Sequence, residues 1–414
     1  MKRGKLKYFK NTELTKLYNV SEKSIRNWIE ASQKGKLKLD LYEDTDRTYI
    51  ADTLLNSILI PKLVEEGRKY RNQRSHKYLI PHNDFYKTYT HSQILDICHE
   101  IEVYHEFPVK YRYFNEAGVY WDKYLDKLNK AGLGNLLTNS IQALEFNFKY
   151  LDEIASKYDF VNIVNICVGN SLAARGILEH FSTQKKLKRF IAVDISQTML
   201  DITESRVNSW FDKKIQTEKY IRDINSEHFR EALSDDTFGK DASRTLNIVL
   251  FLAGPIVNFR EPENALQTIR ESMGKDDLLI TTLKCDTSQS RRFFDFNVES
   301  DTGLLNYHDK YLLDLLNIQD SYYDLEQFFD ESKMLRVIQI RLKLDLSIQF
   351  ESGNFQKTVH LKKGQALQLW RSWHHSEKAI IDRFNKSNFT LQGFTKSTDD
   401  QLILLINKIK SDTA

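Results

Sequence analysis

Short apolar runs alternate with amphipathic segments through the middle of the chain. The runs span Ile163–Val168, Phe190–Val193, Leu246–Ala253 and Asp277–Leu283, with a weaker one near Tyr220. Between them, apolar residues recur at helical spacing over Leu172–Phe181, Ser196–Val207 and Glu261–Met273. This alternation predicts a doubly wound parallel sheet that binds its ligand at the carboxyl ends of the strands.

The pattern changes to alternating apolar and polar residues near the carboxyl terminus. Val337–Phe350, Lys357–Leu361 and Ala366–Leu369 have the alternation typical of antiparallel strands. Phe389–Thr395 and Gln401–Ile406, separated by a polar stretch, then predict a terminal hairpin.

The amino-terminal residues predict a different small domain. Thr12–Leu17 and Ser21–Ile29 read as two short helices across a tight turn, and Ser21 is the expected N-cap of the second. A strand over Leu37–Tyr42, a returning strand over Arg47–Asp52 and a long helix from about Asp52 to Arg71 should follow. This order is that of a winged helix-turn-helix.

These changes in pattern predict four regions. They are a winged helix-turn-helix over residues 1–75, a helical, aromatic-rich segment over 76–158, a Rossmann-like domain over 159–330, and a β-rich region with the terminal hairpin over 331–414. The helical segment should cover the domain that follows it.

Composition places the chain among globular proteins. Of its 414 residues, 41% are hydrophobic and 28% charged, and no apolar run approaches the roughly 20 residues needed to cross a bilayer. The first residues lack the apolar core of a secretory signal, so we expect a cytoplasmic protein without membrane contact. Basic residues outnumber acidic ones by roughly 18 to 10 in residues 1–80, which points to a separate partner for that end.

The cysteines and histidines do not form a metal-binding pattern. Cys98, Cys167 and Cys285 are widely spaced, and neither a disulfide framework nor a zinc site is expected. His374 and His375 are adjacent, so their side chains should point in different directions and cannot easily share a metal. We therefore predict no metal site.

An acidic residue ends the second predicted strand, where nucleotide-binding folds hold a pair of ribose hydroxyls. Asp194 has this position, although it could also serve as an acid before the helix that begins near Ser196. The turn after the first strand holds one glycine, Gly169, and lacks a glycine-rich cradle for a pyrophosphate. An adenosine ligand without phosphates suits this site, and S-adenosylmethionine is the commonest.

The third strand contributes another candidate. Asp223 follows it, in position to accept a hydrogen bond from the adenine amino group. The neighbouring residues of these three positions, Asn170, Ile195 and Ile224, complete the predicted cofactor site.

The amino-terminal domain resembles the DNA-binding domains of MerR-type and excisionase-type winged helices. The resemblance rests on a second helix with the residues Val20-Ser21, Ile25-Arg26 and Trp28-Ile29, and on the returning strand near Tyr49. It implies double-stranded DNA as a partner and a homodimer as the working form. The residues implied to read the major groove are Lys23, Ser24, Arg26 and Asn27, and those implied to reach phosphates are Lys34, Lys36 and Arg47. The alternative is a protein-docking module with a solvated basic face.

From about Tyr111 onward the chain resembles the histidine-specific methyltransferase family. The matching segments are Tyr113–Gly118, Asp194–Ser196, Leu250–Phe259, Asp276–Ile280 and Leu361–Gly364. The resemblance implies a class I methyltransferase fold, in which the terminal hairpin closes the parallel sheet and the β-rich region binds substrate. It also implies that Tyr113, Asn258 and Phe259 lie near the substrate, although Asn258 could equally be a helix cap.

The chain departs from the family at two places. A carboxylate, a glycine and a lysine of the first turn are replaced, leaving Asn165, Cys167 and Ala173-Ala174. Where the family presents a glutamate to the substrate ammonium, this chain has Trp370, while Ser372 matches the family's serine. Losing a buried charge partner costs about 2–5 kcal/mol, which argues against histidine as the substrate.

Two functional hypotheses follow. The first is a S-adenosylmethionine-dependent methyltransferase that N-methylates a small amine, amino acid or peptide, with no catalytic base required by the chemistry. The alternative is a transcriptional regulator whose catalytically degenerate methyltransferase domain responds to S-adenosylmethionine or another metabolite. A nucleic-acid methyltransferase is disfavoured, because the sequence lacks an Asn/Asp-Pro-Pro-aromatic motif and a catalytic Pro-Cys pair.

Overall fold

The structure is a computed structural model that describes residues 7–44, 47–74, 76–132, 134–234, 244–287, 305, 307–353 and 355–410. It divides into two compact units. The amino-terminal unit comprises Met1–Tyr78 with Leu344–Leu346, and the main unit comprises Leu79–Lys343 with Ser347–Ala414. The predicted divisions near residues 158 and 330 stay predictions.

The amino-terminal unit is built around a small apolar core. Its elements are β1 (Tyr8–Phe9), α1 (Asn11–Tyr18), α2 (Glu22–Gln33), β2 (Leu41–Asp44), β3 (Arg47–Ala51) and α3 (Leu54–Arg74). The three strands pair antiparallel in the order β1-β3-β2. The residues that pack together from these elements are Leu14, Val20, Ile25, Ile29, Leu39, Ile50, Ile60 and Val64.

The two predicted helices are confirmed, and Ser21 accepts a hydrogen bond from the Ser24 N–H at 3.2 Å as the N-cap of α2. The predicted strand over Leu37–Tyr42 is wrong in its first half. Ser32 Oγ bonds the carbonyls of Leu37 and Leu39 at 3.0 and 3.1 Å, so this segment is tied to α2 and the strand starts only at Leu41.

Most of the remaining elements lie in the main unit, although residues 76–78 and 345–346, which belong to two of the strands, fall in the amino-terminal unit. After the amino-terminal unit, the helices in chain order are α4 (Asn83–Thr88), α5 (His91–His99), α6 (Asn115–Ala131), α7 (Leu136–Phe146), α8 (Phe148–Ala155), α9 (Arg175–Thr183), α10 (Gln197–Trp210), α11 (Arg230–Leu233), α12 (Pro262–Ser272), α13 (Tyr307–Leu315) and α14 (Glu377–Lys386). The strands are β4 (His76–Leu79), β5 (Phe160–Ile166), β6 (Leu187–Asp194), β7 (Thr217–Ile221), β8 (Thr245–Phe251), β9 (Leu278–Lys284), β10 (Tyr323–Asp330), β11 (Leu335–Leu342), β12 (Asp345–Ser352), β13 (Phe355–Leu361), β14 (Ala366–Trp373), β15 (Phe389–Lys396) and β16 (Leu402–Ile409). Among the described residues, no helix combines the length and hydropathy needed to cross a membrane.

A seven-stranded sheet forms the centre of the main unit, in the order β15-β16-β9-β8-β5-β6-β7. The strands β5 to β9 run parallel, and β16 joins β9 antiparallel. Both faces of the sheet are covered by apolar side chains, with Ile163 in one core cluster and Val164 in the other. The predicted parallel sheet closed by an antiparallel hairpin is therefore confirmed.

A second sheet has the order β10-β11-β14. The predicted run Val337–Phe350 is divided between β11 and β12, because the chain turns where Lys343 N–H donates to the Tyr322 carbonyl at 2.8 Å. Strand β14 contacts a 3-10 turn at Pro255–Asn258, which follows β8. This contact brings the β-rich region to the carboxyl edge of the large sheet.

Candidate functional site

Four neighbouring parallel strands end at one edge of the large sheet. The strands β8, β5, β6 and β7 are adjacent, so the loops that follow them converge there. Asp194 is the last residue of β6, and the turn 167–171 follows β5. This edge is the candidate site.

The Asp194 carboxylate is buried at this edge, with 8% of the residue exposed. Burial raises its pKa to about 7, against the opposing effect of backbone N–H groups from Ser196, Val168, Ile195 and Gly169. The Ser196 N–H donates to Asp194 Oδ1 at 2.8 Å. Such a carboxylate can accept further hydrogen bonds from a ligand's hydroxyl groups.

The turn after β5 has an unusual backbone. Cys167, Gly169 and Ser171 have φ values of 50°, 52° and 57°, in the left-handed region that favours glycine. Side chains secure this conformation: Ser171 Oγ lies 3.1 Å from both Asn165 Nδ2 and Thr203 Oγ1. The left-handed turn is thus present although only one of the three residues is a glycine.

Asn170 connects this turn to two helices. Its Nδ2 donates to Asp122 Oδ1 on α6 at 2.9 Å, and its Oδ1 accepts from the Leu172 N–H at 3.2 Å. Arg206 on α10 pairs with Asp122 at 2.6 Å and with Asp126 at 2.8 Å. The Asn170 side chain is therefore engaged within the protein. Asp122 and Arg206 were not predicted, because residues so far apart in the sequence leave no local pattern.

Tyr113 lies beside the end of β6. Its carbonyl accepts a hydrogen bond from Ser196 Oγ at 2.6 Å, so one serine links Asp194 to Tyr113. The Tyr113 ring lies 4.8 Å from that of His308 and 5.5 Å from that of Trp121, measured between centroids. Burial raises the pKa of Tyr113, the Arg112 guanidinium opposes this, and the charge of Asp194 raises the pKa further.

Gly118 explains the spacing of the Tyr113–Gly118 motif. A Cβ atom at Gly118 would lie 2.6 Å from the Tyr113 carbonyl oxygen and 3.0 Å from Thr198 Cγ2. Only glycine allows α6 to approach this closely, and the approach holds Tyr113 at the sheet edge.

Asp223 follows β7 and meets a cation from the helical segment. Lys110 Nζ lies 2.8 Å from Asp223 Oδ2 and 2.7 Å from Asp96 Oδ2. Ile224 is buried and Ile195 is half-buried. Lys110 and Asp96 were not predicted, since they lie far from Asp223 in the sequence.

The turn after β8 carries Asn258 and Phe259. Ala253 and Gly254 open it with φ values of 60° and 73°. Asn258 Oδ1 is buried without a hydrogen-bond partner among the described residues. The Phe259 carbonyl accepts a hydrogen bond from Trp373 Nε1 at 2.7 Å, which fixes the turn to β14.

Trp370 and Ser372 are both buried on β14. Alternation along a strand puts them on one face and Arg371 and Trp373 on the other. Trp373 bonds the Phe259 turn, and Trp370 and Ser372 lie on the other face of β14.

Arg371 belongs to a partly buried group of charges near the same turn. It pairs with Glu106, which lies 3.7 Å from Arg260, and Arg260 also pairs with Glu100. Burial raises the pKa of Glu106, opposed by the two guanidinium groups. The charges in this group balance, so it fits a structural role.

No three His, Cys, Asp or Glu side chains of the described residues converge as metal ligands. His374 is buried against Phe329, with 5.6 Å between ring centroids. His375 Nε2 lies 3.1 Å from Arg383 Nη2, and burial lowers its pKa. The two imidazoles have different surroundings.

The residues predicted to contact DNA lie in the amino-terminal unit. Lys23, Arg26 and Asn27 are exposed on α2, whereas Ser24 is half-buried and bonds Ser21. Arg26 pairs with Glu22 at 3.0 Å. The other three, all exposed, are Lys34, Lys36 and Arg47.

A model of a family described as histidine-specific, SAM-dependent methyltransferases matches residues 148–408, which is more than half of the chain. The match confirms the resemblance inferred from the sequence of this region. No curated protein matches the chain.

Several solved structures are distantly similar. A S-adenosylmethionine-dependent methyltransferase from Clostridium acetobutylicum is 14% identical with a TM-score of 0.40, covering 72% of this chain and 100% of its own. Magnesium protoporphyrin IX methyltransferase from Synechocystis, with bound SAH, is 11% identical with a TM-score of 0.37, covering 72% and 97%. DesVI from Streptomyces venezuelae is 10% identical with a TM-score of 0.32, covering 72% and 99%.

Replacing Asp122 tests how the turn 167–171 is held. We expect Asp122→Ala to lower the free energy of unfolding by about 1–3 kcal/mol, because buried Asn170 loses its acceptor. Amide exchange at residues 168–172 should also become faster. The matched variant Asp126→Ala leaves the Asp122 contacts intact and should change both readouts less. Urea unfolding and hydrogen exchange measure the two effects, and equal effects of the two variants would contradict this role.

Proposed function

Since the chain belongs to the family of histidine-specific, SAM-dependent methyltransferases, we propose that it transfers the methyl group of S-adenosylmethionine to a nitrogen of a small amine, amino acid or peptide. One observation carries the proposal. Asp194, the left-handed turn 167–171 and Tyr113 meet at one edge of the sheet, joined through Ser196.

Each end of the cofactor has a candidate partner at this edge. Asp194 would accept hydrogen bonds from the ribose hydroxyls, with Ile195 against the adenosine. Asp223 and Ile224 would contact the adenine. Gly169 and the Asn170 backbone would face the methionine portion, because the turn presents its main chain and the Asn170 side chain is engaged elsewhere.

Methyl transfer requires little of the protein beyond alignment of the substrate nitrogen with the methyl group. The nitrogen lone pair attacks the methyl carbon, the carbon–sulfur bond breaks, and sulfur leaves as the neutral thioether of S-adenosylhomocysteine. The nitrogen gains the positive charge and loses a proton to water when it still carries one. Orientation and exclusion of water supply most of the acceleration in such a reaction.

The substrate would meet the aromatic and amide groups near the transferred methyl. Asn258 Oδ1 is a buried acceptor without a partner among the described residues, so it can receive an N–H of the substrate and direct its lone pair. Tyr113 and Phe259 would form apolar walls. Trp370 and Ser372 would enter only from the opposite face of β14, which weakens their proposed contact with the substrate.

Methyl transfer is the direct test. The full chain is incubated with methyl-labelled S-adenosylmethionine and a panel of histidine, other amino acids, small amines and short peptides. We expect label in at least one amine, amino acid or peptide of the panel. Asn258→Ala should lower kcat while cofactor binding stays intact. Absence of transfer to every nitrogen in the panel and in a cell extract would contradict the enzyme proposal.

Cofactor binding should depend on pH through Asp194. Ribose hydroxyls donate to the ionised carboxylate, whereas the buried free group has a pKa of about 7. Binding therefore favours the deprotonated form, and affinity should rise as pH rises through 7, being about tenfold weaker at pH 6 than at pH 8. Calorimetry with S-adenosylhomocysteine measures this. Asp194→Asn should bind weakly without pH dependence, while Asp201→Asn, an exposed control on α10, should keep the wild-type profile.

For the amino-terminal unit we propose binding to double-stranded DNA, supported by the exposed polar face of α2 with Lys23, Arg26 and Asn27. This role fits either an enzyme with a DNA-bound location or a regulator that senses S-adenosylmethionine. Coupling between cofactor binding and DNA binding distinguishes the enzyme from the regulator, because in a regulator S-adenosylmethionine must change the affinity for DNA.

Gel-shift titrations at several salt concentrations test DNA binding. Lys23→Ala and Arg26→Ala should each weaken binding and reduce the salt slope by about 1, since each removes a charge from the contact face. Lys62→Ala, an exposed lysine on α3, is the control and should bind as the wild type does. Unchanged affinity in both α2 variants would contradict α2 as the contact face, and absence of any shift with the wild type would favour a protein-docking module.

A further inference from the structure

We propose that Lys110 is a specificity-determining residue that reads the adenine of the cofactor together with Asp223. This inference rests on the proposed function and extends it to a residue outside the strands that form the site. Lys110 would donate a hydrogen bond to adenine N1 while Asp223 accepts one from the adenine N6 amino group.

Lys110 reaches the site from a separate part of the chain. It lies in the 3-10 turn Val109–Tyr113, and its ammonium lies 2.8 Å from Asp223 Oδ2 and 2.7 Å from Asp96 Oδ2. The Tyr111 hydroxyl donates to the same Asp96 oxygen at 2.8 Å, which holds that carboxylate in place. Two of the three ammonium N–H groups are thus directed at carboxylates, and one is left for a ligand.

Asp223 keeps capacity for a ligand as well. Its Oδ1 accepts the Asn225 N–H at 3.0 Å, and its Oδ2 accepts from Lys110. Each carboxylate oxygen can accept a second hydrogen bond. The side chains of Lys110 and Asp223 are 28% and 18% exposed, so the pair is partly buried but still accessible.

The pair presents a donor beside an acceptor. The Watson–Crick edge of adenine has the complementary order, with an amino donor at N6 and an acceptor at N1. Hypoxanthine reverses both groups, because it has an oxygen at C6 and an N–H at N1. A fixed Asp223–Lys110 pair therefore favours adenine and opposes hypoxanthine at both atoms.

Lys110 also joins the helical segment to the sheet edge, and this tether alone would explain its contacts. The two roles predict different results. Loss of a tether weakens every adenosyl ligand by the same factor. Loss of a base contact changes the ratio between adenine and hypoxanthine ligands.

Calorimetry with the full chain separates the two roles, using S-adenosylhomocysteine and its deaminated analogue S-inosylhomocysteine. We expect the wild type to prefer the adenine ligand and Lys110→Met to reduce that preference by roughly 5- to 100-fold, the range for a paired base contact. Lys87→Met, which alters an exposed lysine of α4, should leave the ratio unchanged. Asp96→Asn removes one arm of the tether but keeps the base contact, so it should also retain the ratio.

The other possible results would overturn either the inference or the proposed function. An unchanged ratio in Lys110→Met, or an equal change in Asp96→Asn, overturns the inference and leaves Lys110 as a tether, while the proposed function stands. If the wild type binds neither ligand, the proposed function fails and the inference falls with it. Thermal unfolding of each variant checks that the fold is kept, and should Lys110→Met fail to fold, Lys110→Leu, which also lacks a donor, replaces it with the same expected loss of preference.

Discussion

The burial of one carboxylate constrains the rest of the candidate site. Asp194 ends β6 and is buried away from bulk water, so its charge depends on N–H groups supplied by the chain around it. Those groups come from the turn after β5 and from the start of α10. The turn must therefore fold back toward β6, and Ser196 must sit where it can also bond the Tyr113 carbonyl. A single desolvated charge thus sets the position of three segments.

The helical segment completes an edge that the sheet alone would leave open. Lys110, Tyr113 and Asp122 all come from it, and each contacts a different loop of the sheet. The contacts are charged or polar and only partly exposed, which makes them stronger than surface pairs but dependent on exact partners. Cofactor binding therefore depends on the packing of the helical segment, because movement of that segment would disturb every part of the cofactor site.

Local patterns in the sequence were enough for the large sheet, its terminal hairpin and the strand that ends in Asp194, because strand and helix periodicity depends on burial that neighbouring residues share. The family match covers the segment Leu250–Phe259. Pairs such as Lys110 with Asp223 and Asn170 with Asp122 could not be found this way, since their partners are brought together only by the fold. The predicted start of β2 is wrong for a related reason. Ser32 on α2 donates hydrogen bonds to the carbonyls of Leu37 and Leu39, which precede the strand.

The turn 167–171 has a left-handed backbone at positions where glycine would be expected but other residues stand. Cys167 and Ser171 adopt torsions that side chains normally resist, and neighbouring hydroxyl and amide groups compensate for the missing glycines. The shape of this turn is therefore held by contacts of its side chains and not by glycine alone.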